Sequence, residues 1–231
     1  MISKTEKRWQ EVKPMIQEYL QSGHDYFFLN RLVSFFYPPE VFFRSHTDIE
    51  ASQTPVRDIN LIVRIMEDFG TDTQIIGLCA SFLDHHLLRA GRQKRQKIYP
   101  LILRLIEKYQ DVEKVASVPE DRSLQAKRCL LVALTNAVYV LPNDILKHDL
   151  NVYRFIITCL QDLQEPGFDQ DPVILFLKEI LGVKGHQFLA LEQRQEIIRL
   201  LLDVNPHRLI SYSQEDITSL IQAFSKIDQP S

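Results

Sequence analysis

The chain has 231 residues, of which 45% are hydrophobic and 25% charged, and its formal net charge at pH 7 is −3. That composition is typical of a globular protein with a substantial core, and the small net charge gives no bulk attraction to nucleic acid or to anionic membranes. No apolar run approaches the roughly 18 residues that a membrane-spanning helix needs. Seven glycines are few for a fold rich in tight turns, so the composition favours helices over sheets.

The three cysteines are odd in number, far apart and each surrounded by apolar residues: Cys79, Cys129 and Cys159. This pattern is typical of buried thiols in a reducing compartment, and it differs from that of a disulfide framework or a zinc site. The first residues, MISKTEKRWQEVK, lack the apolar core of a signal peptide. We therefore expect a cytoplasmic protein, with the nucleus left open.

Apolar residues recur every three or four positions along most of the chain, which predicts a succession of amphipathic helices. The first begins at Ser3, which stands three residues before Glu6 as in a capping box. Because Pro14 interrupts its apolar stripe, this helix is either kinked there or begins late. A second, aromatic helix is expected within residues 24–43.

The third and fourth predicted helices form an αα-hairpin joined by a tight corner. The third begins at Thr54 and ends at Gly70. The fourth is capped by Thr71 or Thr73 and ends at Gly91. The apolar face of the third consists of Val56, Ile59, Val63, Met66 and Phe69, and that of the fourth consists of Ile75, Ile76, Cys79, Phe82, Leu83 and Leu87.

Six further helices follow, at about 100–109, 122–141, 143–163, from 171, 190–204 and from Ser213. Residues 110–121 are the best candidate for a long connection. Ser213 and Asp216 stand at capping-box spacing. No stretch alternates with period two for long enough to predict a strand.

The sequence therefore predicts an all-α protein of about ten helices in a single domain over residues 1–231, with any internal division near residues 110–121. Helices with apolar residues on more than one face are suited to packing between neighbours as irregular stacked pairs. In general architecture only, the pattern resembles α-solenoids of the HEAT and armadillo type, and this resemblance implies no functional residues. An irregular helical bundle is the alternative.

The basic segment, residues 89–97, carries five cationic side chains: Arg89, Arg92, Lys94, Arg95 and Lys97. At about 100° per residue, a helix would point these side chains all round its circumference and leave no apolar face to pack. Pro100 also disfavours helical geometry at the residue before it. We therefore predict an exposed basic turn at residues 89–97 and a new helix that starts at Pro100.

A helix that starts at Pro100 would have no capping side chain, so the amides of Leu101 and Ile102 would be free to face an anion beside the basic turn. The first interpretation is a solvated bend that binds nothing. The second is a site for the acidic segment of a partner protein. The third is a site for nucleic acid or phospholipid.

Residues 24–43 carry eight aromatic side chains. We interpret them as a packing seam between the first helices and the next pair. The alternative is a groove for a partner peptide, because exposed apolar patches usually mark binding sites. The candidate residues of that groove are Phe35, Phe36, Phe42 and Phe43.

Asp84, His85 and His86 are the residues most suggestive of a metal site. Adjacent histidines on a helix point about 100° apart, and Cys79 lies about 10 Å from His86 along the axis. We interpret the pair as a partly buried histidine with a satisfied hydrogen bond, and we expect no metal and no cofactor.

No nucleophile elbow, phosphate-binding loop, paired CxxC or dinucleotide fingerprint occurs in the chain. We therefore expect no catalytic residue, and the leading hypothesis is a non-enzymatic scaffold that presents a helical-repeat surface to another protein. The alternative is a nucleic-acid-binding or phosphate-binding helical protein that uses the basic turn.

Overall fold

The computed structural model describes residues 3–36, 59–115, 120–141, 150–162, 170–182, 189–205, 207 and 209–226. Within these ranges the protein forms ten α-helices and no strand, which confirms the predicted all-α class. The helices are α1 Lys4–Gln21, α2 Tyr26–Phe36, α3 Ile59–Phe69, α4 Thr73–Arg89, α5 Arg92–Val115, α6 Glu120–Val140, α7 Leu150–Gln161, α8 Asp171–Gly182, α9 Leu191–Leu202 and α10 Gln214–Ser225.

The helices group into two compact units, Met1–Phe69 and Gly70–Ser231. The single domain expected over residues 1–231 stays a prediction, and each unit is described by itself. The predicted long connection at residues 110–121 is wrong where the structure describes it, because 110–115 belong to α5 and 120–121 to α6. Both helices belong to the second unit.

In the first unit, α1 packs on α2 and α3. The side chain of Ser3 accepts a hydrogen bond from the amide of Glu6 at 3.1 Å, so the predicted start of α1 is confirmed. Pro14 lies inside the helix, so α1 does not begin late. The buried residues of α1 recur at helical spacing and are Trp9, Val12, Ile16 and Tyr19.

The buried face of α3 differs from the predicted one. The buried residues are Leu61, Ile62, Ile65 and Met66, whereas the predicted Ile59, Val63 and Phe69 are only half-buried. A helix with so many apolar residues allows two overlapping stripes, and packing decides between them. The predicted helix start at Thr54 lies outside the described residues.

In the second unit the helices alternate between two rows. One row consists of α4, α6, α8 and α10, each packed on the next, and the other consists of α5, α7 and α9. Consecutive helices also pack across the rows, as α4 does on α5 and α9 does on α10. Because a helix in such a row has neighbours on several sides, it needs apolar residues on more than one face, which is the pattern that the sequence showed.

Among the described helices, α4 and α6 have the most extensive contact, and small residues allow their backbones to approach closely. A Cβ atom added to Gly77 would lie 3.2 Å from the Cα atom of Ala126. Farther along the pair, the side-chain amide of Asn136 donates to Asp84 at 2.8 Å. All six apolar residues predicted for this face of α4 are at most 1% exposed, so that face is confirmed.

The N-cap of α4 is Asp72 and not the predicted Thr71 or Thr73. Its backbone is extended, and its carboxylate accepts hydrogen bonds from the amides of Gln74 and Ile75, each at 3.0 Å. Aspartate caps a helix at least as well as threonine does, and its charge favours the positive end of the helix dipole.

The prediction of an exposed turn over residues 89–97 is wrong. The chain turns only at Ala90 and Gly91, and α5 begins at Arg92 and continues through Pro100 to Val115. Buried residues from Ile98 onward anchor the helix, and its first two turns extend into solvent, so they need no apolar face. Arg, Gln and Lys are good helix formers, which makes this extension favourable.

The helix start predicted at Pro100 is wrong for the same reason. The amides of Leu101 and Ile102 lie in the interior of α5 and not at its start. The helical φ of proline fits the backbone, and the energetic penalty is confined to the missing hydrogen bond to the carbonyl of Gln96 and local crowding.

The remaining helices agree with the sequence more closely. The capping box of α10 is confirmed, since Asp216 accepts from the amide of Ser213 at 2.9 Å and Ser213 accepts from the amide of Asp216 at 3.4 Å. Leu202 of α9 is 67% exposed although it is apolar. No helix in the described ranges combines the length and apolar content needed to cross a membrane.

Candidate functional site

Three of the five cations of the basic segment lie exposed on the first two turns of α5, and we call Arg92, Lys94 and Lys97 the basic end of α5. Arg95 has a different role. Its Nε atom donates to the carbonyl of Leu87 at 3.0 Å and its Nη2 atom to that of Leu88 at 3.2 Å, so it satisfies two carbonyls in the last turn of α4. Arg89 is the last residue of α4 and is half-buried.

The electrostatics of the basic end are unfavourable for the helix itself. The first turn of α5 contains no acidic residue, so its cations face the positive end of the helix dipole without compensation. Gly91, which precedes the helix, has no side chain that could accept hydrogen bonds from the first amides. An anion bound here would offset the positive charge at the helix start and accept hydrogen bonds from the first amides.

The described half of the candidate aromatic groove is well packed. Phe36 is only 3% exposed, and the half-buried ring of Phe35 lies under the guanidinium group of Arg8, 4.7 Å from ring centroid to Cζ. The two phenylalanine rings pack edge to face at 5.3 Å. Phe42 and Phe43 lie outside the described residues, so the peptide groove stays a prediction.

The histidine pair of α4 is neutral at pH 7. Burial and the nearby charge of Arg89 lower the pKa of His86 to about 4, and burial, Arg89 and His86 do the same to His85. His86 is 3% exposed and its Nδ1 atom has no hydrogen-bond partner among the described residues, so the expected satisfied hydrogen bond is not found there. Across the described ranges, no three His, Cys, Asp or Glu side chains are grouped so as to hold a metal ion.

A buried polar network that the sequence analysis missed joins α5, α6 and the end of α7. The ammonium group of Lys127, only 5% exposed, contacts Glu113 Oε1 at 2.7 Å and also pairs with Asp162. The hydroxyl of Tyr109 donates to Glu113 at 2.9 Å and lies 2.6 Å from Ser123 Oγ. We call these residues the Lys127 network.

The Lys127 network holds its groups in unreactive protonation states. Burial alone would lower the pKa of Lys127, but hydrogen bonds to Asp162 and Glu113 outweigh it and the pKa is raised. Burial also raises the pKa of Tyr109 and of the adjacent Cys159 thiol. A charged lysine, a neutral phenol and a neutral thiol are poor nucleophiles, so the network is a structural tie.

The acidic groove lies beside this network, between α5 and α7, with a volume of about 580 Å³. The residues that line it are Glu107, Gln110, Asp111, Glu113, Asn151, Arg154 and Thr158. Three carboxylates and one guanidinium give this lining a formal charge of −2. The amide of Asn151 donates to Glu107 at 3.0 Å, and Gln110 donates to the carbonyl of Asn151 at 3.2 Å.

Sequence reasoning missed both features because their residues are distant in sequence and match no motif. The only local signals were the four-residue spacings of Tyr109 with Glu113 and of Ser123 with Lys127, which put each pair on one helix face. Because residues 110–121 were predicted to form a connection, Glu113 was not expected to lie on a helix.

No protein family, no curated protein and no solved structure matches this chain.

Proposed function

We propose that the protein is a non-enzymatic protein-interaction module, solenoid-like in general architecture, which binds an acidic segment of a partner protein at the basic end of α5. The observation that carries the proposal is the exposure of Arg92, Lys94 and Lys97 at an uncompensated helix start. These cations contribute nothing to packing and oppose the helix dipole, so a partner anion is the group that would make them favourable.

The arrangement of the second unit supports a binding role over a catalytic one. Each helix of the two packed rows carries some exposed residues, and stacked helices of this kind form the extended binding surfaces of helical-repeat proteins. The Lys127 network, which brings together a lysine, a tyrosine and two carboxylates, is largely buried and held by ion pairs. These ion pairs stabilise the packing of the helices, and they leave the side chains in protonation states that are unsuited to catalysis.

The test is affinity purification from nuclease-treated extract of the native cell with three forms of the protein. The first is wild type, and the second carries Arg92→Glu, Lys94→Glu and Lys97→Glu. The third carries Lys4→Glu, Lys7→Glu and Lys226→Glu, which changes the net charge equally at other exposed positions. We expect partners that are enriched by wild type and by the third form and lost with the second.

Partners that survive the charge reversal of α5, or that are lost equally with the matched control, would contradict binding at the basic end. Arg95 is left unchanged in the test because its bonds to the carbonyls of α4 make its replacement a change of structure.

The second candidate function is binding of nucleic acid or a phosphate group at the same end of α5. It is favoured by Gly91, which leaves the first amides of α5 without a side-chain acceptor beside three exposed cations. If the ligand is a nucleic acid, nuclease treatment removes the bound material, and the affinity of the protein for a labelled oligonucleotide falls steeply with salt. Partner proteins that persist after nuclease treatment would favour the first function.

A further inference from the structure

We propose that the exposed face of α9 is a self-association surface, on which two copies of this chain pair their α9 helices in antiparallel orientation. Three aliphatic residues lie along this face, Leu191, Ile198 and Leu202, and we call them the apolar stripe of α9. The stripe belongs to a different helix from the basic end of α5, so the pairing does not depend on the function proposed above.

The residues of the apolar stripe lie on one side of α9. At about 100° per residue, Leu202 lies about 20° from Leu191 round the helix axis, and Ile198 lies about 20° from Leu191 in the other direction. Leu191 is 46% exposed and Leu202 is 67% exposed, while Ile198 is half-buried. Apolar side chains aligned in this way are typical of the face that a helix presents to a neighbouring helix.

Contacts on the far side of the helix fix the rotation of α9. Leu200, directly opposite the stripe, is 8% exposed, and Ile197 beside it is fully buried. The helix packs on α7 and α10, and Glu196 accepts a hydrogen bond from the hydroxyl of Tyr153 on α7. Turning the stripe inwards would break these contacts, so the stripe stays exposed in a single copy of the chain.

An exposed apolar stripe is unusual for a helix at the end of a row. Stacked helices stay soluble when the helices at their ends present polar outer faces. The exposed side chains of α10, which ends one row, are all polar. In the described part of α5, which begins the row that α9 ends, no large apolar side chain is exposed. The contrast with α5 and α10 indicates that another helix covers the stripe of α9.

Two charged residues beside the stripe make this face complementary to itself. Glu192 and Arg199 are both exposed, and they lie about 20° apart round the helix axis and about two turns apart along it. In an antiparallel pair that sets Leu191 against Leu202 of the second copy, Glu192 lies about 3 Å along the axis from Arg199 of the second copy. The twofold symmetry of the pair repeats this contact. A parallel pair would set like charges against each other, which is unfavourable.

The size of the face determines how tight the pairing can be. The 12 residues of α9 form a helix about 18 Å long. Contacts within one such helix pair bury less than the roughly 1,200 Å² of a standard interface. We therefore expect a dimer that dissociates on dilution, with a Kd of about 1–100 µM.

The apolar contact is tested by sedimentation equilibrium of the full chain between about 5 and 500 µM. We expect the average mass to rise with concentration from one copy towards two. Leu202→Gln should raise the Kd at least about tenfold, because it removes an apolar side chain from both ends of the pair. The matched control is Phe27→Gln, which replaces a side chain of α2 that is 64% exposed and should leave the Kd within about twofold.

The antiparallel register is tested by exchanging the two charges. Glu192→Arg alone and Arg199→Glu alone should each raise the Kd about three- to tenfold, since each sets like charges against each other. The double exchange restores opposite charges and should return the Kd to within about threefold of wild type. Asp68→Arg and Lys7→Glu make equal charge changes at exposed positions of the first unit, and each should leave the Kd within about twofold.

A chain that stays monomeric at about 500 µM would overturn the proposal. So would equal weakening by Leu202→Gln and Phe27→Gln, or a double charge exchange that dimerises as weakly as the single exchanges. Charge reversal of Arg92, Lys94 and Lys97 should leave the dimer unchanged. Failure of this proposal is therefore distinguishable from failure of the proposed function.

Discussion

Lys127 lies where α5, α6 and α7 meet, and its ammonium group has two carboxylate partners, Glu113 and Asp162. A buried charge is tolerated only when its partners replace the lost hydration. Here two carboxylates and the face of the Tyr109 ring, 5.9 Å from the Nζ atom, surround it. This residue therefore fixes the relative position of three helices that the sequence places far apart.

Replacing Lys127 by Met should lower the free energy of unfolding by about 3 kcal/mol, measured by urea denaturation, because Glu113 and Asp162 lose their cation. The control is Lys178→Met, which breaks an exposed ion pair with Asp216 and should have a far smaller effect. Similar losses in the two variants would contradict the structural role of the Lys127 network.

Within the basic segment, cationic residues that are similar in sequence have different roles in the structure. Arg95 bonds the end of α4, whereas Lys94 beside it is exposed. Nothing in the sequence distinguishes these two cations, since the distinction depends on where the chain turns and on which side each residue faces.

At the scale of the element, α5 is the helix whose bounds differ most from the prediction, since it spans Arg92–Val115 and not residues 100–109. Proline at the predicted start and the run of cations before it both argued for a turn, and each is compatible with a helix whose first turns are solvent-exposed. The packed residues from Ile98 to Tyr109 determine where the helix lies, and the exposed turns extend from them. The basic end and one wall of the acidic groove both lie on this helix.

Replacing Pro100 by Ala should raise the free energy of unfolding by about 1–2 kcal/mol, because it restores a hydrogen bond to the carbonyl of Gln96 and removes crowding in α5. Hydrogen exchange of the α5 amides should slow in parallel. The control is Pro172→Ala in the first turn of α8, where the amide would have no intrahelical partner, and which should give no increase. An equal rise in both variants, or a fall in the first, would contradict the continuous α5.

At the scale of the whole molecule, the buried histidines link stability to pH. The folded pKa of His85 and of His86 is about 4, below the ordinary value of 6.5. Protons therefore bind the unfolded chain first as the pH falls. The contribution of the pair is fully present above pH 6.5 and is lost as the pH falls towards 4.

Between pH 7 and pH 5 we expect the free energy of unfolding to fall by about 2 kcal/mol through this pair, after allowance for the partial exposure of His85. A variant with His85→Gln and His86→Leu should lose most of that pH dependence in urea denaturation. The control His207→Gln, at an exposed position, should retain it. An unchanged slope in the double variant would show that other groups cause the dependence.

Local interactions explain what the sequence by itself determined. The all-α class, the caps at Ser3 and Ser213 and the buried face of α4 depend on residues within a few positions of each other, and the structure confirms them. The cap at Asp72 and the buried face of α3 were misread because several local choices were of nearly equal energy.

Only the tertiary structure decided where the chemistry lies. Lys127 meets Asp162 across 35 positions of sequence, and Glu107 meets Asn151 across 44. The start of α5 at Arg92 depends on how the rest of that helix packs in its row. Periodicity reports which residues are apolar at helical spacing, but the partner of a buried charge and the walls of a groove depend on which helices become neighbours.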